Sequence, residues 1–195
     1  MTRRTILLAA FQNKELDLCS REEWCAADGS AFPESSWRCT PASIAAIGGL
    51  EVFQDIRTRR SFQDFEFHFE FTLEAGGNSG VKYLIDKSDA FRGHIRARGK
   101  EFQLIDDSSP AADRPDHKCG ALYNVSGPTK PAVFTPGQPA SAKLIRRQGY
   151  IEHWVNNELL LRYALSAADA QRPTAISLQN HKSNIEFRRL RLVLV

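Results

Sequence analysis

The segment from residue 65 to residue 73, with the sequence FEFHFEFTL, constrains the fold of this chain more than any other. Its odd positions are apolar and its even positions are polar: Phe65, Phe67, Phe69, Phe71 and Leu73 against Glu66, His68, Glu70 and Thr72. A period of two puts alternate side chains on opposite faces, so the pattern predicts a long strand with one buried face. The chain holds twelve Phe, a residue that favours strands, which indicates a β-rich core.

Turn signals divide the rest of the chain into short strands. Residues 75–80 (AGGNSG) end the first strand in a turn, and residues 81–85 resume as its antiparallel neighbour. Asn156 and Asn157 fit a two-residue hairpin turn, because asparagine tolerates positive φ. Helical periodicity is weak, so we expect an all-β sandwich or jelly roll. The further strand candidates are 101–105, 121–123, 142–146, 150–155, 158–163, 175–178 and 186–195, and the short helix candidates are 20–27 and 166–171.

The composition is that of an ordinary globular domain. The 195 residues, 42% hydrophobic and 25% charged, fit one domain over residues 1–195 and rule out a collagen-like, coiled-coil or wholly disordered chain. A net charge of +3 is too small to indicate a nucleic-acid partner. Arginines cluster at positions 57/59/60, 92/96/98 and 188/189/191. We interpret these clusters as solvated strand edges and turns, with an anion-binding patch as the alternative.

The cysteines and the N-terminus leave the compartment open. Cys19, Cys25, Cys39 and Cys119 match neither a C-x-x-C pair nor a zinc ribbon, so we expect free thiols, with Cys119 in the core. Two disulfides are the alternative. No apolar run approaches the roughly 18 residues of a membrane span, so we expect no membrane partner. The apolar run at residues 6–11 is shorter than the roughly 7–15 residues of a signal peptide core, and is either a first strand or a trimmed remnant. The protein would be periplasmic or secreted in the second case and cytoplasmic in the first, and its oligomeric state stays open.

Several short motifs occur in a recognisable order. They are GGNSGVKY at 76–83, EFQLIDD at 101–107, GALY at 120–123, EHWVN at 152–156, LQNH at 178–181 and FR at 187–188. From about residue 10 to residue 195 the chain resembles the 3-keto-disaccharide hydrolase domain family. The resemblance implies a concanavalin-like jelly roll of two antiparallel sheets with a sugar cleft, and a carbohydrate ligand whose sugar carries a ketone at C3.

That ketone dictates the chemistry that the resemblance implies. It acidifies the neighbouring C2–H, so that a modest general base can remove the proton. The resulting enolate expels the glycosidic oxygen from C1, and water addition completes a net hydrolysis, whereas without water the enzyme is a lyase. The alternatives are a non-catalytic carbohydrate-binding module and a domain that contacts proteins through a sheet face, since one fold hosts all three.

Alternation suggests which polar side chains share a face. Glu101 and Gln103 point one way along their strand, and Gln179 and His181 point one way along theirs. We predict Glu101 and His181 as the acid–base pair, although a strand-surface carboxylate and a turn histidine would read the same. The predicted substrate-binding residues are Asn78, Ser79, Lys82, Gln103, Asp106, Tyr123 and Gln179. No cofactor is firmly implied: Asp106 and Asp107 either hold a divalent cation or cap a turn.

Two departures from the family bear on activity. The usual LQDHG reads LQNHK here, so that Asn180 replaces a carboxylate and Lys182 replaces a glycine. The segment between Leu165 and Thr174 is short, and in many members it helps to wall the cleft. We therefore expect a more open and altered site.

Overall fold

A computed structural model describes residues 14–91 and 93–195, with backbone alone at residues 90 and 91. The apolar run at residues 6–11 lies outside the described residues. Strands dominate the described chain, and their bounds are β1 (Glu15–Asp17), β2 (Trp24–Ala26), β3 (Trp37–Thr40), β4 (Ser43–Ala46), β5 (Ile56–Thr58), β6 (Phe65–Leu73), β7 (Asn78–Phe91), β8 (His94–Ile105), β9 (Ala140–Arg147), β10 (Tyr150–Val155), β11 (Glu158–Ala164), β12 (Ser177–Leu178) and β13 (Ile185–Leu194).

The strands form two antiparallel sheets. The larger sheet has eight strands in the order β11-β10-β9-β6-β13-β4-β3, with β1 pairing to β13. The smaller sheet has five, in the order β2-β5-β12-β7-β8. Among the described residues, helix is confined to α1 (Ala167–Gln171) and to two 3-10 turns, Arg21–Glu23 and Pro115–His117. The expected all-β fold of two antiparallel sheets with little helix is confirmed.

The core lies between the two sheets, as the alternating segment requires. All five apolar side chains of β6 are at most 3% exposed. Across the interface stand Val81 and Tyr83 of β7 and Phe102 and Leu104 of β8, which are fully buried. The rings of Phe69 and Phe102 meet edge to face at 6.3 Å between centroids, an arrangement that aromatic pairs favour.

One histidine is part of this core. His153 of β10 stacks on Phe102 with 4.1 Å between ring centroids. One ring nitrogen is 3.0 Å from the Tyr83 hydroxyl and the other is 3.0 Å from the carbonyl oxygen of Gly120. Burial lowers the pKa of His153 to about 3, so the ring is neutral at physiological pH.

The predictions of short helices, strands and turns were partly correct and partly wrong. The hairpin is confirmed: Asn156 (φ 48°) and Asn157 (φ 64°) join β10 to β11. The helix predicted at 166–171 is confirmed as α1, capped by the Ser166 side chain. The helix predicted at 20–27 is wrong beyond one 3-10 turn, because residues 24–26 form β2. Residues 121–123 form no strand: Leu122 makes two isolated bridges, to Phe102 and to Ser126.

The cysteines are free thiols, as expected. Cys119 is fully buried, and burial raises its pKa to about 12. Among residues 14–91 and 93–195, no helix has the length and apolar character needed to cross a bilayer.

Candidate active site

A polar pocket of about 420 Å³ opens on the face of the five-stranded sheet that points away from the core. Seven of the nine predicted site residues line it: Asn78, Lys82, Glu101, Gln103, Tyr123, Gln179 and His181. They come from β7, from β8, from the loop after β8 and from the chain just after β12. The structure therefore brings together residues that lie up to about a hundred positions apart in sequence.

Strand pairing sets the floor of the pocket. Lys82 of β7 is the register partner of Glu101 of β8, and Gly80 is the partner of Gln103. Directly paired residues in a sheet project from the same face, so Lys82 and Glu101 stand side by side. A Cβ atom on Gly80 would lie 2.5 Å from Glu101 Oε1. The glycine therefore makes the space in which the Glu101 carboxyl group sits.

A buried ion pair lies beneath the floor. The Lys82 ammonium donates to Asp55 Oδ2 over 2.7 Å, and Asp55 is fully buried. The same Asp55 carboxylate accepts from the backbone N–H of Ala97 (3.1 Å) and of Asn180 (3.0 Å). Asp55 thereby ties the start of β5 to β7, to β8 and to the chain after β12. A buried pair needs such additional hydrogen bonds to offset the loss of hydration.

Glu101 is held in a state suited to proton transfer. Its side chain is 12% exposed and its Oε2 is 3.9 Å from Lys82 Nζ. Burial raises the pKa of Glu101 to about 7, against the opposing effect of the Lys82 ammonium, and the Asp55 carboxylate adds to the rise. Gln179 donates to Glu101 Oε2 over 3.3 Å and fixes one side of the carboxyl group. Glu101 is thus poised to exchange a proton near neutral pH.

His181 stands at the mouth of the same pocket. The residue is exposed to solvent, and its ring lies 6.4 Å from that of Phe53. Desolvation by the pocket wall lowers the pKa of His181, and the Arg96 and Lys82 cations lower it further. At neutral pH the ring is therefore uncharged and has a nitrogen lone pair to accept a proton.

Two buried amides offer free acceptors to the pocket. Gln103 and Gln179 are 1% and 3% exposed, and each uses its NH₂ group within the protein. The Oε1 atoms of both residues are buried without a hydrogen-bond partner. A buried acceptor that is left unpaired costs free energy, so these oxygens favour a ligand that brings O–H donors.

Tyr123 forms one wall. Its ring stacks on His117, with 4.8 Å between centroids. The His117 ring is held in turn by Asp113 (3.0 Å) and by Asn124 Oδ1 (2.9 Å). Asn124, which also lines the pocket, has φ 57°, a conformation that asparagine tolerates.

Two of the predicted binding residues lie elsewhere. Strand β7 begins at Asn78, so Ser79 falls on the core face, where it is fully buried and donates to the Gln179 carbonyl oxygen (2.8 Å). Asp106 accepts from the N–H groups of Gly76 (2.8 Å) and Ser108 (3.0 Å), and so caps a turn.

The aspartate next to it is also used within the protein. Asp107 Oδ1 accepts from the backbone N–H of Cys119 over 2.7 Å, so neither carboxylate of the pair is directed at the pocket. In the part of the chain that the structure describes, no group of three or more His, Cys, Asp or Glu side chains is arranged to hold a metal ion.

Within the altered LQNHK motif, Asn180 does not line the pocket. Asn180 is fully buried, and its side chain donates to the Ser36 carbonyl oxygen (3.0 Å) and accepts from the N–H of Lys182 (3.1 Å). The Asn180 amide therefore holds the backbone behind the pocket in place through neutral hydrogen bonds. Lys182 occupies the left-handed region (φ 66°) and places its Nζ 5.8 Å from the centre of the Phe53 ring.

Sequence reasoning missed four polar residues of the site. Arg96, Arg98 and Asn124 line the pocket and Asp55 lies beneath it. The arginine cluster at 92/96/98 was a signal for two of them. Alternation counted back from Glu101 assigns Arg96 and Arg98 to the opposite face of β8, so the strand pattern does not predict their place in the pocket. Asp55 carries no local signal at all.

Several solved structures share this fold. A candidate glycosyl hydrolase from Parabacteroides distasonis superposes with a TM-score of 0.73 at 22% identity, over 89% of this chain and 88% of that one. A β-glucanase from Bacillus licheniformis gives 0.57 at 7% identity, over 94% and 98%. A carbohydrate-binding module from Bacillus subtilis gives 0.53 at 12% identity, over 87% and 94%. At these identities the likeness establishes the fold, a jelly roll that hosts both enzymes and binding modules.

The sequence defines the family. Residues 19–193 match the 3-keto-alpha-glucoside-1,2-lyase-like domain, and the chain belongs to that family. One curated relative is a 3-keto-disaccharide hydrolase from Bacteroides thetaiotaomicron, 29% identical over 128 residues. That match covers 57% of this chain and 42% of the relative, so it spans less than half of the relative's length. The resemblance noted from the motifs is confirmed.

Proposed function

We propose that this protein cleaves 3-keto-glycosides by removing the C2 proton and eliminating the group at C1, with water addition completing a net hydrolysis. The observation that carries the proposal is the pair Glu101 and His181 in one pocket. Their environments move the two pKa values in opposite directions: Glu101 keeps a proton up to about pH 7, and His181 stays neutral. Acid–base elimination requires an acid that holds its proton and a base that lacks one within the same pocket.

The first half-reaction uses the pair in its resting state. Neutral His181 takes the C2 proton, and the electron pair left behind forms the enolate with the C3 ketone. The enolate then reforms the ketone as the C1–O bond breaks, leaving a double bond between C1 and C2. Glu101 gives its proton to the departing oxygen, which leaves as an alcohol. The Lys82 ammonium at the pocket floor stabilises the negative charge that develops on the enolate.

The second half-reaction restores both residues. Ionised Glu101 takes a proton from water as the water oxygen adds to C1, and the imidazolium of His181 returns a proton to C2. The products are a 3-keto-sugar and the released alcohol, and the enzyme regains its starting protonation state. The unpaired Oε1 atoms of Gln103 and Gln179 accept hydrogen bonds from sugar hydroxyls and hold the ring in place.

The test compares two substrates and two pairs of variants. Purified protein is incubated with 4-nitrophenyl 3-keto-glucoside and with the unoxidised glucoside, and nitrophenol release is measured above the rate without enzyme. We expect release from the ketone substrate alone. Glu101→Gln and His181→Ala should each reduce kcat about 10²- to 10⁴-fold.

Matched controls come from the other sheet. Glu66 and His68 lie 3.2 Å apart on β6, away from the pocket. Glu66→Gln and His68→Ala should leave the rate unchanged. Release from neither substrate, combined with retained sugar binding in calorimetry, would refute the enzyme and favour the carbohydrate-binding module. Release that survives in both pocket variants would refute the assigned pair.

The pH profile gives a second check. Glu101 must hold its proton to act as the acid, and its pKa is about 7. We therefore expect kcat/KM to fall as the pH rises above about 7. A kcat/KM that stays level from about pH 6 to pH 9 would contradict the acid role of Glu101.

A further inference from the structure

The cations around the pocket are unequally neutralised. Lys82 is paired with Asp55, and Arg98 makes an ion pair with Asp89. Arg96 also lines the pocket, and among the described residues no carboxylate lies within ion-pair distance of its guanidinium. Its Nε is buried without a hydrogen-bond partner. Arg96 is thus a charged donor that the protein itself leaves unused.

The surroundings of Arg96 add positive charge. The Arg96 guanidinium lies 5.8 Å from the centre of the Phe53 ring. Lys182 Nζ also lies 5.8 Å from the centre of that ring. The exposed Lys182 has no carboxylate partner within the described part of the chain either. Three acidic side chains lie nearby. Asp55 is paired with Lys82, and Asp89, the register partner of Arg96, forms its ion pair with Arg98. Glu101 keeps a proton to about pH 7.

Two cations beside one aromatic ring favour an anionic ligand over a neutral one. Their positive potentials add, and a low-dielectric wall strengthens the field that an anion meets. A guanidinium presents its N–H groups in a planar fork that matches a carboxylate, and such charge-assisted hydrogen bonds are stronger than neutral ones. The ring of Phe53 holds the guanidinium in place through a cation–π contact.

We propose that Arg96, supported by Lys182, forms an anion subsite and that the preferred substrate is a 3-keto-glycoside bearing a carboxylate. This inference rests on the proposed function and adds the substrate class to it. The carboxylate stands either on the leaving group or at C6 of the sugar. Arg96 is then a specificity residue: it draws acidic substrates into the pocket and leaves the proton transfers to Glu101 and His181.

The experiment pairs each acidic substrate with a neutral one of the same shape. One pair is the 3-keto-glucosides of 4-hydroxybenzoate and of 4-hydroxybenzamide, which differ in the charge of the leaving group. The other pair is a 3-keto-glucuronide and the 3-keto-glucoside of one neutral phenol, which differ at C6. In at least one pair we expect kcat/KM to favour the acid by about tenfold or more at low salt, and the preference to shrink at high ionic strength.

Variants separate the subsite from other roles of Arg96. Arg96→Gln should abolish the preference by lowering kcat/KM for the acid alone, and Arg96→Lys should keep part of it, since the charge remains and the fork is lost. The control is Arg188→Gln on β13, whose partner is Glu186 at 2.8 Å, and it should keep the full preference. A preference below about twofold in both pairs, or one that persists in Arg96→Gln, would overturn the proposal. An equal loss of kcat on acid and neutral substrates would also overturn it, because it would make Arg96 an enolate stabiliser.

Binding decides the subsite independently of catalysis. If none of the four substrates is cleaved, the proposed function fails and the anion subsite is judged by calorimetry. Two pairs of unoxidised ligands are compared: methyl glucuronide with methyl glucoside, and the glucoside of 4-hydroxybenzoate with that of 4-hydroxybenzamide. In at least one pair the acid should bind more tightly than its neutral partner to the wild type and equally to Arg96→Gln. Equal binding within both pairs by the wild type would refute the subsite.

Discussion

Replacing Glu101 by Gln should stabilise the protein at alkaline pH while it removes activity. In the folded chain the pKa of Glu101 rises from 4.5 to about 7, chiefly because the carboxyl group is buried. The folded state therefore keeps a proton that the unfolded chain loses, and stability falls as the pH rises from about 4.5 to about 7. At about 1.4 kcal/mol per unit of pKa shift, the loss amounts to roughly 3 kcal/mol.

Gln is the uncharged counterpart of protonated Glu and does not incur this loss. The measurement is the free energy of unfolding by urea, for both proteins, at about pH 4 and about pH 8. We expect the two proteins to be equally stable at the lower pH and the variant to be more stable by about 3 kcal/mol at the higher pH. Glu66→Gln is the control for loss of a negative charge. A gap between wild type and Glu101→Gln that does not widen with pH would refute the reasoning.

Three further changes test the network around the pocket. Asp55→Asn should lower the free energy of unfolding by about 3–5 kcal/mol, because it leaves the Lys82 charge buried without a counterion. Calorimetry should show a Tm lower by roughly 10 °C, and a drop of about 2 °C or less would contradict the stabilising role of the buried pair. Gly80→Ala should reduce kcat on the order of 10²-fold with little change in Tm, since the new methyl group displaces the Glu101 carboxyl group. Unchanged kinetics would show that Glu101 does not need the space beside Gly80. Tyr83→Phe should lower stability by about 1–3 kcal/mol in urea unfolding without changing kcat, because His153 loses a buried partner; a change in kcat alone would tie the core histidine to catalysis.

The strand pattern was predictable where a single face is buried over many residues. The alternation in β6 is local, so the sequence alone predicted its length and its core face. Strands β3, β4 and β5 have only three or four residues and no such alternation, and they were missed. Ser79 shows how a small error in a strand boundary changes the role of a residue. The turn ends at Gly77 instead of Gly80, so Ser79, which was assigned to the turn, is a core residue of β7.

The pocket was predictable where the motifs run along strands, and unpredictable where its parts converge from afar. Asp55 contacts residues 27, 42 and 125 positions further along the chain, and no window of sequence contains those contacts. The arginines at 96 and 98 form a visible cluster, but strand alternation counted from Glu101 assigns them to the face opposite the pocket. Asp106 was a candidate ligand because an Asp pair serves binding and turn capping equally well, and only the hydrogen bonds distinguish the two.

The buried position of Asp55 below the pocket distinguishes residues that folding requires from residues that catalysis alone requires. Folding alone requires the Asp55–Lys82 pair, because removing either partner leaves a charge stranded under the sheet. Folding does not require Glu101, whose ionised form works against stability. A descendant released from selection for catalysis would therefore keep the aspartate and the lysine and lose the glutamate. Among relatives of this chain, the residue at position 101 is the one whose replacement should mark the loss of chemistry.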